Sequence, residues 1–244
     1  LPGLAFLVLR ASAGRRRLLT SKRGGPVPGV SLLEAGVWLG ALPLAVYTLT
    51  YIPAWFFAEG AIGTRSGAAN FLALHTDAIR LQESVVKTHP YMSRWPQWVL
   101  NARSIWYLYE PADGAQRGIV LIGNPITMLL GLPALIWAAS EAIFRRNGPA
   151  AAVSVLYAVT LGFWIVSSKP VQFLYHYFLP SMALLAALAL ALDALWRRER
   201  QWLALIPLAA SLAVFGYFYP ILSAAPLAAG KLAFVEWMWL ASWR

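Results

Sequence analysis

The chain has 244 residues, of which 59% are hydrophobic and only 12% carry a charge. Soluble domains hold about 25% charged residues, so this composition indicates an all-α polytopic membrane protein and excludes an ordinary soluble domain. The absence of cysteine excludes disulfides, thiolate metal sites and a cysteine nucleophile. The net charge of +10 comes from short basic runs between apolar segments, which is a pattern of membrane topology, so no nucleic-acid partner is expected.

The first segment, residues 1–31, combines a short apolar stretch with a basic loop. Leu4–Leu9 is too short to cross a bilayer and follows no charged leader, so we expect the end of a span and a C-terminal fragment of a longer protein. Arg10–Arg23 holds six basic residues and no acid, which predicts a cytoplasmic loop.

Five full transmembrane helices are predicted, the first of them over residues 32–57. A four-helix transmembrane region follows over residues 121–222, with spans at Asn124–Phe144, Ala151–Val166, Ser168–Trp196 and Trp202–Pro220. Asn124-Pro125 has the residue types of a helix cap followed by a first helical residue. Residues 223–244 form a Trp-rich tail.

Residues 58–120, between the first two full spans, mix acids with bases and are predicted to lie outside the membrane. Their first half places apolar side chains at helical spacing (Phe71, Leu74, Ala78, Leu81 and Val85), which predicts an amphipathic helix. The prolines and aromatics of Thr88–Trp98 forbid a regular helix. This Trp-rich loop is either an interfacial aromatic belt or a surface that receives an acceptor beside an active site.

The segment Ser167–Pro180 places polar side chains at the start of a span. Ser168 and Pro170 predict a capped helix start, after which Lys169, Gln172 and His176 would share one helical face. A lysine beside free helix N–H groups predicts an anion site. The alternative is that Lys169 reaches to lipid headgroups while His176 and the tyrosines form an interfacial belt.

The basic clusters define a topology. Arg10–Arg23, Arg145-Arg146 and Arg197–Arg200 fall on one side when five spans are drawn, and the positive-inside rule makes that side the cytoplasm. The loop at 58–120, the Ser168-Lys169 turn and the tail then share the opposite, extracytoplasmic face.

Three motifs in this order resemble the C-terminal four-span region of the protein O-mannosyltransferase family, a GT-C class of glycosyltransferases. They are Thr88–Pro96 continuing to Arg103, then Ile122-Gly123-Asn124-Pro125, then Lys169–Pro180 with its Gln172, His176, Tyr177 and Pro180. Ser104 and Val171 depart from the residues that the family often has at these two positions.

The resemblance implies transfer of mannose from a polyprenyl-phosphate-mannose donor to Ser or Thr of secreted or membrane proteins. It also implies a multi-pass protein of the bacterial plasma membrane whose active site faces away from the cytoplasm, with no cofactor. The donor-side candidates, for the lipid phosphate and sugar, are Lys169, Gln172, Tyr175, His176 and Tyr177, and the acceptor-side candidates are His89, Trp95 and Arg103.

The resemblance further implies that the catalytic carboxylate lies in an Asp-Glu pair of the N-terminal half of the same enzyme. Inverting transfer needs such a base beside the acceptor hydroxyl, and this chain offers no matching pair, so no catalytic residue is assigned within it. No metal site is expected, because the three histidines, His75, His89 and His176, lack zinc-ligand spacing.

Other functions remain open. A related transferase could move a carrier-linked sugar to another glycan or lipid. A transporter would need polar residues at mid-depth in several spans, where Thr160 and Ser211 are nearly all that occur. A non-catalytic lipid-binding subunit is the third alternative.

Overall fold

The computed structural model describes residues 2–12, 19–22, 29–56, 68–228, 230 and 232–244. Parts of the basic loop, including Arg15–Arg17, and the end of the span predicted over 32–57 lie outside the described residues. The described residues form two compact units. The first comprises Leu1–Lys87 with Ser168–Pro170, and the second comprises Thr88–Ser167 with Val171–Arg244.

The first unit is helical in its described residues. Helix α1 is Pro2–Ser12, α2 is Leu32–Thr50 with a π-helical stretch at Val37–Ala41, α3 is Ile52–Trp55 and α4 is Ala68–Ser84. Ser31 and Glu34 form a reciprocal cap, in which Glu34 N donates to Ser31 Oγ at 3.2 Å and Ser31 N donates to Glu34 Oε2 at 2.9 Å. Such caps satisfy helix N–H groups that have no intrahelical partner.

Helix α4 is the helix predicted by the spacing of Phe71, Leu74 and Ala78. In its first turns, the rings of Phe71 and His75 meet those of Tyr47 and Tyr51. His75 Nε2 lies 2.7 Å from the Tyr47 hydroxyl. Leu81 and Val85 stay exposed, so the apolar face of α4 is only partly covered within its own unit.

The second unit contains a four-helix bundle whose helices follow the predicted spans. They are α6 (Pro125–Phe144), α7 (Gly148–Val166), α8 (Phe178–Arg197) and α9 (Gln201–Leu222). Ahead of them come α5 (Trp95–Val99), β1 (Ile105–Ala112) and β2 (Ala115–Leu121). The short helix α5 begins inside the segment that was expected to exclude a helix, because Pro96 lies in its first turn, where a proline needs no N–H partner. Short 3₁₀ turns occur at Leu174–Tyr177, Val235–Trp237 and Ala241–Trp243.

Within the described residues, five helical stretches are long and apolar enough to cross a bilayer. They are Leu32–Thr50, Pro125–Phe144, Gly148–Val166, Leu174–Arg197 and Gln201–Leu222. A bilayer core requires a helix of about 20 apolar residues, and each of these stretches is about that long. The prediction of five spans is therefore confirmed.

Small residues let the bundle helices approach closely. A Cβ at Gly131 of α6 would lie 2.5 Å from Leu184 Cγ of α8, so any larger residue here would force the buried Leu184 side chain to move. Ala138, Ala150 and Ala187 form a second, fully buried contact among α6, α7 and α8. Close approach of this kind is how membrane helices gain van der Waals contact without a hydrophobic driving force.

A β-hairpin occupies part of the segment expected to be a Trp-rich loop. β1 and β2 pair antiparallel, with Ala112 opposite Ala115 and a two-residue turn at Asp113-Gly114. Both turn residues have positive φ, 51° and 72°, as a type I′ turn requires. Burial raises the pKa of the Tyr109 hydroxyl on β1, an effect that hydrogen bonds to the backbone of Phe234 and Ala233 partly oppose. The second unit therefore contains a β-hairpin that the all-α prediction did not include.

Candidate functional site

A groove of about 410 Å³ lies in the second unit where the hairpin, the start of α6 and the start of α8 meet. Its lining residues are Tyr107, Leu121, Ile122, Gly123, Met128, Leu174, Tyr175, Tyr177, Phe178 and Ser181. The groove thus brings together residues from two of the three motifs, Ile122-Gly123 and Leu174–Phe178. Its walls are apolar and aromatic, with the hydroxyls of Tyr107, Tyr175 and Ser181 as polar groups.

Gly123 forms part of the groove wall and is held by the side chain of Asn101. Asn101 Nδ2 donates to Gly123 O at 2.8 Å, and Gly123 N donates to Asn101 Oδ1 at 3.0 Å. A Cβ at Gly123 would lie 2.7 Å from Met128 Cγ and 2.9 Å from Asn101 Oδ1. A larger residue at this position would therefore displace the side chain of Met128 or Asn101.

The next residue, Asn124, caps α6 as predicted. Its Oδ1 accepts from Ile126 N at 3.0 Å and from Thr127 N at 3.4 Å, which satisfies two N–H groups of the first turn. Its Nδ2 donates to Ser211 O at 2.9 Å. One side chain therefore fixes both the start of α6 and its contact with α9.

The helix start predicted at Ser168-Pro170 is wrong. After Val166 the chain is non-helical as far as Phe173, and a 3₁₀ turn at Leu174–Tyr177 then leads into α8. Gln172 O accepts from Ser93 N at 2.9 Å, and Phe173 N donates to His176 Nδ1 at 2.9 Å, so both groups are bound in ways that a helix would not allow. Lys169, Gln172 and His176 consequently do not share a helical face.

Ser168 and Lys169 cluster with the first unit and are described there. Ser168 Oγ donates to Glu83 Oε1 of α4 at 3.2 Å, so the hydroxyl binds a carboxylate and does not cap a helix. The binding role predicted for Lys169 stays a prediction.

His176 lies inside an aromatic cage. Its ring stacks on Trp98 at 5.9 Å and meets the edge of Trp164 at 4.0 Å, measured between ring centroids. Trp98 is fully buried and its Nε1 donates to Ser93 Oγ at 2.8 Å. His176 and Gln172 are themselves buried and are absent from the groove lining, so in the described residues they hold the Leu174–Tyr177 turn in place.

Tyr175 and Tyr177 are the donor-side candidates that line the groove. Tyr175 is 44% exposed and stacks on Phe173 with ring centroids 5.4 Å apart. Tyr177 is buried, and its hydroxyl lies 2.8 Å from that of Tyr157 on α7. Tyr175 therefore presents a usable hydroxyl and ring, whereas Tyr177 fixes the wall behind it.

Tyr107 of β1 lines the same groove and was not singled out in the sequence. The signal that would have found it is the aromatic-rich run Ile105–Tyr109 followed by Asp113-Gly114, which is typical of a β-hairpin. Its side chain is 58% exposed.

The acceptor-side candidates lie on the loop before the hairpin. His89 Nδ1 accepts from Tyr91 N at 3.2 Å, and its ring meets the edge of Phe173 at 5.4 Å. Trp95 begins α5 and is 37% exposed. Phe173 thus contacts both His89 and Tyr175, which places the exposed edge of this loop next to the groove.

Arg103 ties this loop to the C-terminal tail. Its guanidinium donates to the carbonyl of Pro90 and, at 3.3 Å, to the carbonyl of Ser242. Three further hydrogen bonds join the same two segments, from Ser104 Oγ to Trp243 O at 2.6 Å, from Trp243 Nε1 to Asn101 O at 2.8 Å, and from Ser242 Oγ to Ala102 O at 2.6 Å. These contacts give Arg103 a structural role, and the tail acts as a strap over residues 101–104.

Metal ligands do not cluster in the part of the chain that the structure describes. No group of three or more His, Cys, Asp or Glu residues there could hold an ion.

The sequence pattern of the C-terminal four TMM region of protein-O-mannosyltransferase matches residues 68–243, well over half of the chain. The chain belongs to the protein O-mannosyltransferase family. The resemblance seen in the three motifs is thereby confirmed. The matched range of this O-mannosyltransferase region includes the hairpin, the bundle and the tail.

Curated relatives of this O-mannosyltransferase region are named polyprenol-phosphate-mannose–protein mannosyltransferase. The Mycolicibacterium smegmatis protein is 27% identical over 241 residues, covering 84% of this chain and 46% of the relative. The Mycobacterium tuberculosis protein is 28% identical over 251 residues, covering 87% of this chain and 47% of the relative. The chain thus spans about half the length of the curated relatives it matches.

A solved structure shares the fold of this O-mannosyltransferase region. It is the S. cerevisiae protein O-mannosyltransferase Pmt1-Pmt2 complex bound to the sugar donor, with a TM-score of 0.58 and 23% identity. The match covers 74% of this chain and 27% of that one. This likeness confirms the expected fold, a helical membrane region of the GT-C type.

Proposed function

We propose that this chain forms the C-terminal membrane part of an enzyme that moves mannose from polyprenyl-phosphate-mannose to Ser or Thr hydroxyls of secreted or membrane proteins. The observation that carries the proposal is the groove, which joins Gly123 of the second motif to Tyr175 and Tyr177 of the third in a chain of this family. The curated relatives carry the corresponding name, and we extend their activity to this chain.

The groove is the proposed donor side. Aromatic and aliphatic walls suit the isoprenoid chain of a lipid carrier, because contact between two apolar surfaces removes both from water. The exposed hydroxyls of Tyr107 and Tyr175 supply hydrogen-bond donors for the phosphate oxygens at the groove mouth.

The acceptor side is proposed to lie along the loop of His89 and Trp95, whose exposed surface adjoins the groove through Phe173. An acceptor hydroxyl bound there needs a carboxylate base. Among the acids of the hairpin, Asp113 pairs with Arg117 at 3.4 Å, and Glu110 is not part of an Asp-Glu pair of the kind that the resemblance implies. We therefore assign the base to the N-terminal half of the same enzyme. The curated relatives are about twice as long as the region that this chain matches, which leaves room for such a half.

The protein is a multi-pass membrane protein, and we propose that it resides in a bacterial plasma membrane with the groove facing away from the cytoplasm. In the second unit Arg145, Arg146, Arg197, Arg198 and Arg200 gather at the bundle end opposite the hairpin. Positive residues mark the cytoplasmic side of membrane proteins. The hairpin, the His89 loop and the tail accordingly belong to the extracytoplasmic side.

A transporter finds little support in the bundle. The hydroxyl of Thr160 donates to Leu156 O at 2.7 Å, and that of Ser211 donates to Pro207 O at 2.6 Å, so each satisfies its own helix. A transferase that acts on another glycan or lipid remains the nearest rival, and the acceptor decides between them.

The test is mannosyl transfer by the full-length enzyme in membranes, with mannosyl polyprenyl phosphate as donor and a Ser/Thr-rich peptide as acceptor. Tyr175→Ala and Tyr107→Ala are expected to lower kcat/KM for the donor by about tenfold each, roughly 1.4 kcal/mol of lost stabilisation. Tyr219→Ala is the matched control, because Tyr219 is a 53% exposed tyrosine at the same end of the bundle but outside the groove lining. Transfer to a glycan or lipid acceptor in place of the peptide would overturn the proposed acceptor class.

A further inference from the structure

A second cavity, of about 360 Å³, lies at the arginine-rich end of the bundle among α6, α8 and α9. Its lining residues are Leu130, Pro133, Ala134, Trp137, Leu188, Ala191, Leu192, Ala194, Leu195, Arg198, Leu203 and Pro207. A volume in the range of about 300–1,000 Å³ is typical of small-molecule sites. Neither the motifs nor the proposed transfer reaction uses this cavity.

We propose that this cavity binds an anionic phospholipid, with an acyl chain in the cavity and the phosphate at Arg198. The proposal does not depend on the transferase activity, because the cavity lies at the opposite end of the bundle from the groove.

The cavity arises from the residues that line it. Pro133 of α6 and Pro207 of α9 lie inside their helices, where proline supplies no N–H for the helical hydrogen-bond ladder. Ala134, Ala191 and Ala194 are too small to fill the space beside them. The walls are otherwise aliphatic or aromatic, so an acyl chain gains contact there without leaving a polar group unsatisfied.

Arg198 supplies charge complementarity at the mouth. It is the charged side chain in the described lining, and it is exposed at the turn between α8 and α9. Among the other arginines at this end, Arg197 pairs with Asp193 at 2.9 Å and Arg145 pairs with Glu141 at 3.5 Å, while Arg200 lies outside the cavity lining. For Arg198 the described residues provide no carboxylate partner within ion-pair distance, so its guanidinium is available to a phosphate.

The level of the turn also fits a headgroup. Trp196 and Trp202 flank Arg198 and are 46% and 62% exposed. Tryptophan settles at the membrane–water interface, so this pair marks the headgroup layer. Basic pockets between helices on the cytoplasmic side are a recurrent form of anionic lipid site.

The test measures lipid retention by the purified full-length enzyme in native mass spectrometry, after incubation with dioleoyl phosphatidylglycerol or dioleoyl phosphatidylcholine. The wild type is expected to retain phosphatidylglycerol in preference. Arg198→Gln should lower that retention about fivefold, the factor that corresponds to roughly 1 kcal/mol for one arginine at an anionic surface. Arg200→Gln is the matched control, because Arg200 is exposed in the same turn but outside the cavity lining.

A second pair of variants tests the acyl position. Ala191→Phe fills the cavity and is expected to lower retention of phosphatidylglycerol, and Ala191→Leu repeats the test with a smaller side chain if the phenylalanine variant does not fold. Equal retention of phosphatidylcholine, an equal loss in Arg200→Gln, or no loss in either Ala191 variant would overturn the site. Preferential retention of polyprenyl phosphate over phosphatidylglycerol would show a different occupant and would also overturn the proposal.

Discussion

At the scale of single residues, exposure separates groups that can meet a ligand from groups that hold the turn beside it. Tyr175 and His176 are neighbours in sequence, yet Tyr175 is 44% exposed and His176 only 8%. The sequence alone grouped them, because both belong to one motif. Their different surroundings predict different consequences of substitution.

His176→Ala is expected to destabilise the protein by roughly 2–4 kcal/mol, because it empties the cage formed by Trp98 and Trp164 and leaves Phe173 N without its acceptor. Tyr175→Ala is the matched control and should change stability little while lowering transfer. Thermal unfolding of both detergent-purified variants, followed by transfer assays, checks this. A fully stable His176→Ala protein with raised KM for the donor would contradict this structural role and support the predicted donor-side role of His176.

Gly123→Ala is expected to destabilise by about 1–3 kcal/mol, since overpacking forces Met128 or the Asn101 side chain to move. Gly216→Ala is the control: a Cβ there meets nothing within 4 Å, and alanine favours a helix interior. Midpoints of thermal unfolding report both changes. Equal midpoints for the two variants would contradict the close contact at Gly123.

At the scale of elements, the membrane helices were predictable and the connections were not. The spans follow from apolar runs of about 20 residues, a local property of the sequence. The helix start at Pro170 was predicted wrongly because two hydrogen bonds hold the backbone there in a non-helical conformation. Ser93 N, which is distant in the sequence, donates to Gln172 O, and Phe173 N donates to His176 Nδ1. Tertiary hydrogen bonds of this kind leave no periodic signal in the sequence.

The hairpin, in contrast, has a local sequence signal, but this segment was predicted to be a Trp-rich loop. Asp113-Gly114 between aromatic-rich runs is a strong turn signal. The groove wall at Tyr107 depends on this element, so the candidate site could be predicted only in part: Tyr175 and Tyr177 from the motif, but not their partner on β1.

The C-terminal strap is expected to protect the segment 101–104. Trp243→Ala removes a buried indole and its hydrogen bond to Asn101 O, so trypsin should cleave after Arg103 several-fold faster than in the wild type. Leu240→Ala, at a 40% exposed position of the same tail, serves as the control. Unchanged cleavage in Trp243→Ala would show that the strap does not order this segment.

At the scale of the whole molecule, the second unit has two chemically different ends. The end with the hairpin and groove carries hydroxyls, aromatic rings, and both basic and acidic residues such as Arg117 and Asp113. The other end carries five arginines in and beside the α6–α7 and α8–α9 turns. The positive-inside rule uses the arginines of these turns to place that end of the bundle in the cytoplasm.

The predicted orientation of the second unit in the membrane can be tested by labelling single introduced cysteines, since this chain has no cysteine of its own. In full-length enzyme freed of other cysteines, Glu110→Cys on the hairpin should react with a membrane-impermeant thiol reagent in intact cells. Arg146→Cys at the α6–α7 turn should react only after permeabilisation. The reverse pattern would place the groove in the cytoplasm and contradict the proposed site of transfer.

The most direct measurement is photolabelling of the full-length enzyme in membranes with a polyprenyl-phosphate-mannose analogue that carries a photoreactive group on its first isoprenoid units. The groove predicts label in two peptides, around Leu121–Met128 and around Leu174–Ser181, and unlabelled donor should compete it away. Label that avoids both peptides, or that persists against excess donor, would contradict the assignment of this groove to the lipid carrier.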